Sequence, residues 1–92
     1  MTIFNFFKRG YKDEKILYQA TGAVNEHPML KNNKNFSIDC HQGVIKLSGQ
    51  VKSEQIKHRI EKAIRDRIEQ SNINYDRIDN QLEIAGSRVE SE

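Results

Sequence analysis

The chain has 92 residues, 36% hydrophobic and 30% charged, with a formal net charge of +2. A chain of that length suits one small domain, which buries about 60–70% of its unfolded surface and leaves little room for a deep catalytic cleft. Fifteen basic against 13 acidic residues is too mild a balance to imply nucleic acid, and the single cysteine, Cys40, excludes an internal disulfide.

Residues 1–12 form an arm in which Phe4, Phe6, Phe7 and Tyr11 sit beside Lys8, Arg9 and Lys12, with no acid among them. Its apolar residues precede its charges, the reverse of a secretory signal. No run approaches the roughly 20 apolar residues of a membrane span. The expected location is therefore the cytoplasm, with peripheral attachment at the inner face of the membrane. Aromatic rings with cationic neighbours suit a bilayer interface, where rings lie at headgroup level and cations meet anionic lipid. The alternative is that the rings fold back over a small core, or that the arm drives homo-oligomerisation.

Asp13 is expected to be the N-cap of a first helix in which Ile16, Leu17, Ala20, Ala23 and Val24 recur at helical spacing. Gly22 interrupts that pattern at about 1 kcal/mol relative to Ala, so the helix is expected to fray there. Pro28 closes it, and Lys31 to Asn35 reads as a polar loop. Phe36, Ile38 and Cys40 alternate with Ser37, Asp39 and His41, the period-2 signal of a half-buried strand. Gln42-Gly43 makes a turn, with Gly43 supplying positive φ. Val44 to Val51 forms the second strand, where Gly49 marks a bulge or a close backbone approach as the strand leaves the sheet.

Ser53 opens a second helix whose apolar stripe runs through Ile56, Ile60, Ala63, Ile64 and Ile68. Its other faces interleave acids and bases, the pattern of a solvated, ion-paired surface. Ser71-Asn72 ends it. Ile78, Asn80, Leu82 and Ile84 alternate in a last strand, and residues 85–92 are a polar tail. The sum is a small α+β domain of order α-β-β-α-β: a three-stranded mixed sheet covered on one face by two helices. The crossover through the second helix is expected to set the last strand parallel to a hairpin strand.

Candidate chemistry is sparse. His27, His41 and His58 fall in three separate elements without the spacing of a metal site. Alternation puts Cys40 on the buried face beside Phe36 and Ile38, where cysteine behaves as a small hydrophobe. Ser48 before Gly49 lacks the strand-turn-helix elbow of a nucleophile. Gly43 and Gly49 flank a strand and do not precede a helix as a phosphate cradle does, so both read as structural glycines. No catalytic residue, metal ligand or cofactor site is expected.

The runs Gly43-Val44-Ile45-Lys46-Leu47-Ser48-Gly49-Gln50-Val51 and Asp79-Asn80-Gln81-Leu82-Glu83-Ile84 resemble the BON family, small bacterial modules of osmotically induced and envelope-associated proteins. The resemblance covers residues 13–84. It implies a non-enzymatic stress-response module that binds anionic phospholipid or a membrane-associated protein. The polar stretch Ser71 to Tyr75 departs from the short Gly-Val turn usual in that family. The alternative functions are a small nucleic-acid-binding α/β domain, or a protein-interaction or ion-sensing module without a lipid role. Nucleic acid is disfavoured because the chain lacks the Gly-x-x-Gly loop between helices that clamps a nucleotide backbone.

Overall fold

The computed structural model describes residues 10–30 and 35–85. They run in the order α1 (Asp13–Asn25), β1 (Phe36–His41), β2 (Val44–Val51), α2 (Glu54–Gln70) and β3 (Arg77–Ile84). β2 is the central strand, antiparallel to β1 and parallel to β3. This is the expected α-β-β-α-β domain, with the last strand laid parallel to the second hairpin strand.

Period-2 and period-3.6 patterns decide which residues go inside. Ile45, Leu47 and Val51 of β2 and Leu82 of β3 are buried on one sheet face, together with Ile16, Ala20, Ala23 and Val24 of α1. Ile60, Ile64 and Ile68 bring the stripe of α2 onto the same layer, with no side chain exposed. Ile56 and Ala63 are half-buried at its margin. On the other sheet face the strands present polar side chains: Asp39, Lys46 and Asp79 form one cross-strand row, and Ser37, Ser48 and Gln81 the next.

Three boundary details differ from expectation, at Asp13, Gly22 and Gly49, while the end of the first helix agrees with it. Lys12, not Asp13, occupies the N-cap of α1, and it caps with no side-chain bond. Asp13 stands one residue inside the helix, because its carboxylate is committed elsewhere. The helix does not fray at Gly22; it continues to Asn25, with the Glu26 N–H still bonded to the Gly22 carbonyl at 2.9 Å. The helix ends before Pro28, in a turn that carries Leu30 into the core, fully buried. At Gly49 the strand stays in the sheet and pairs with β3 as far as Val51.

α2 starts as its sequence requires. The Ser53 hydroxyl accepts from the Ile56 N–H at 3.2 Å, closing the N-terminal cap. Ser71 is the C-cap and Asn72 turns the chain at φ 58°.

Candidate functional site

A densely bonded polar centre of the fold is the hairpin turn between β1 and β2. His41 and Val44 are paired, so the loop is two residues long, and both of them have positive φ: 51° at Gln42 and 84° at Gly43. Such a turn matches the right-handed twist of its strands. Its amide groups point outward and need an acceptor. Asp13 provides one: Oδ2 accepts from the Gln42 N–H at 2.8 Å and Oδ1 from the Gly43 N–H at 2.9 Å. The Cys40 thiol donates to Oδ1 at 3.4 Å. On the other side, the Gly43 carbonyl accepts from the Asp76 N–H at 2.8 Å, tying in the entry to β3.

This constellation shifts two pKa values. Hydrogen bonds from the Gly43 and Gln42 amides favour the ionised carboxylate, so Asp13 lies below the usual carboxylate range. Burial, followed by the hydrogen bond to Asp13 and its charge, pushes the Cys40 thiol up to about 12. Cys40 is half-buried against the core and stays protonated at neutral pH.

Tyr11 covers the turn. A Cβ placed on Gly43 would overlap the Tyr11 ring, so the glycine is required both for its φ and for the close approach of the aromatic face. Tyr11 retains 40% of its surface to solvent. Gly49 has the same dual requirement at φ 124°, where a Cβ would lie 2.5 Å from Phe36 Cα and 2.6 Å from Asn35 O.

The structure thus sets Tyr11 and Lys12, two of the arm residues singled out by sequence, at the hairpin pole. Lys12 is exposed, and it borders a shallow basin with Gly10, Lys15, Asn72 and Ile73. Phe4, Phe6, Phe7, Lys8 and Arg9 lie outside the described residues. Gly43 and Gly49 sit where the turn and the close approach were expected.

Two residues, Arg67 and Asn80, make tertiary links that the sequence reading did not single out. Arg67 of α2 reaches across to α1, its Nε donating to Gln19 Oε1 at 2.9 Å and its Nη2 pairing with Glu26 at 3.0 Å. The guanidinium passes over Gly22, whose missing Cβ would lie 3.0 Å from Nη2. Asn80 of β3 donates to the Lys57 carbonyl at 3.2 Å and to Glu61 Oε1 at 3.0 Å, joining β3 to α2. Glu61 in turn pairs with Arg65 along the helix. The spacing of Gln19, Gly22 and Glu26 on one helix face was the available clue to Arg67. Nothing local announced Asp13 or Asn80.

The histidines remain apart. His27 Nδ1 accepts from the Met29 N–H at 3.1 Å, His58 lies 3.4 Å from Glu54, and His41 is exposed at the end of β1. Among the described residues no group of three His, Cys, Asp or Glu side chains is disposed to hold a metal ion, and no helix is long and apolar enough to cross a membrane.

No family model matches the chain, and no curated protein matches it as a relative.

Proposed function

We propose that the protein is a non-enzymatic binding module that docks on anionic phospholipid membrane, or on a partner held there, through its amino-terminal arm. The supporting observation is how charge divides along the chain. The described residues hold 10 Lys and Arg against 11 Asp and Glu, a net −1. The surplus lies elsewhere: residues 1–9 add +2 through Lys8 and Arg9, and residues 31–34 add +2 through Lys31 and Lys34. A folded body close to neutral has little field of its own to draw it to an anionic surface, whereas an arm with three phenylalanines and two cations has both terms.

The chain leaves the fold at a fixed place. Tyr11 on Gly43 and Asp13 on the turn amides hold the base of the arm at the hairpin pole. Each phenylalanine buried in the interface contributes about 1.5–3 kcal/mol, and each cation near an anionic surface about 1 kcal/mol. The total suits reversible attachment. The resemblance to BON modules agrees with this reading and is carried by fold-forming residues.

The test is flotation of the full chain with liposomes of varied composition, beside a chain starting at Gly10 and a nucleic-acid shift assay. Binding of the full chain to anionic liposomes, lost in the shortened chain while its melting temperature holds, is the expected result. A shift with nucleic acid and no flotation would replace the proposal with the nucleic-acid reading.

A further inference from the structure

The two edges of the sheet are not equivalent. The Gln50 N–H donates to the Asn35 carbonyl at 3.1 Å, and the ladder alternates from there to the His41–Val44 pair that closes the hairpin. The backbone groups of residues 37, 39 and 41 therefore face β2, and those of Phe36, Ile38 and Cys40 face outward. Among the described residues nothing is bonded to these outward groups. At the opposite edge the Ala85 N–H bonds to Val51 O at 2.6 Å, which turns the groups of Ile78, Asn80, Leu82 and Ile84 outward. There the edge is closed in part by its own side chain: Asn80 Oδ1 accepts from the Leu82 N–H at 3.2 Å.

β1 carries no comparable protection. Free edges are normally blunted by charged side chains, above all lysine, by proline or by a bulge. Phe-Ser-Ile-Asp-Cys-His has no lysine, proline or bulge; its one carboxylate, Asp39, lies on the open face, and the strand pairs without interruption along its length. Phe36 and Ile38 are only half-buried and border a shallow depression with Thr21, Val24 and Asn25 of α1. The edge thus offers unpaired backbone next to incompletely covered apolar side chains.

We infer that β1 is the pairing edge for a second copy of this chain, the two β1 strands running antiparallel about a two-fold axis to give one continuous sheet. The residues themselves select the register. Centred on Ile38, the axis engages all three outward residues of each strand. Ile38 then faces the partner's Ile38 and Phe36 faces the partner's Cys40 on the helix-covered side. On the open side Ser37 faces the partner's Asp39, a hydroxyl opposite a carboxylate. Moving the centre to Asp39 sets two carboxylates against each other, and moving it to Ser37 leaves Cys40 unpaired. The charge pattern and the count of backbone bonds favour the same alignment.

Sedimentation velocity of the full chain from micromolar to millimolar concentration tests this. A monomer–dimer equilibrium is expected, weakened several-fold by Ser37→Asp and strengthened several-fold by Ser37→Lys, since each change acts twice across the axis on Asp39. Ser37 is exposed, so both variants keep the fold, which thermal melting checks. Amide exchange at Phe36, Ile38 and Cys40 should slow as concentration rises, while that at Ile78 and Asn80 does not change. A monomer at every concentration would overturn the inference, as would a dimer indifferent to both Ser37 variants. Slow exchange at the β1 amides in a monomer would overturn it too, by placing another segment of the same chain on the edge.

Discussion

Asp13 shows how much one side chain holds together. Its two oxygens satisfy both turn amides and the Cys40 thiol, linking the start of α1 to the hairpin across 27 to 30 residues of sequence. Asn at this position keeps one acceptor and loses the charge, so Asp13→Asn is expected to destabilise by about 1–3 kcal/mol in urea unfolding. The pH dependence has a definite sign. Folding lowers the Asp13 pKa, so its contribution is present above the unfolded carboxylate value near 4 and is lost as pH falls through the lower, folded value. Asp13→Asn should flatten that acid limb of the stability curve; an unchanged limb would remove the clamp from the account. Gly43 belongs to the same cluster. Gly43→Ala faces both positive φ and the Tyr11 ring, and a loss of about 2–4 kcal/mol is expected. Tyr11→Ala should recover part of it in a double-mutant cycle, because the two residues are in contact.

Between elements, the helix pair is joined by an arginine and a glycine acting together. Gly22→Ala gains about 1 kcal/mol of helix propensity but displaces the end of Arg67 from its bonds to Gln19 and Glu26. In the native background these effects should nearly cancel; in an Arg67→Ala background Gly22→Ala should stabilise by about 1 kcal/mol. Thermal melts of the four proteins check this. The core behaves more simply. Leu47 and Ile64 are fully buried on facing layers, so truncating either to Ala is expected to cost about 2–5 kcal/mol in chemical unfolding. Element types and faces were legible in sequence because strands and helices each impose one period on apolar residues, as in the stripe from Ile56 to Ile68. Leu30 was not legible, since a single apolar residue after a turn has no period. Asp13 was misassigned for a related reason: an acid at a helix start has a local capping role available, and only tertiary structure shows a better acceptor geometry at Gln42 and Gly43.

For the whole molecule, the sheet, helices and polar clamps make a body of almost balanced charge, and the arm begins beside the hairpin turn that Asp13 and Tyr11 hold. The role proposed for that arm rests on composition: four of the seven aromatic residues and three cations lie within residues 1–12. The proposed mode of attachment has two separable parts. Ring insertion follows apolar area and is little affected by salt, whereas attraction of Lys8, Arg9 and Lys12 to lipid is screened over a Debye length. The measurement that tests the account most directly is a salt series of full-chain binding to vesicles with and without phosphatidylglycerol. The account predicts binding to the anionic vesicles that weakens steadily with salt, little binding to neutral ones, and loss of binding in the Phe4→Ala, Phe6→Ala, Phe7→Ala triple variant at unchanged melting temperature. No vesicle binding by the full chain at low salt, together with a triple variant that melts several degrees lower, would contradict it.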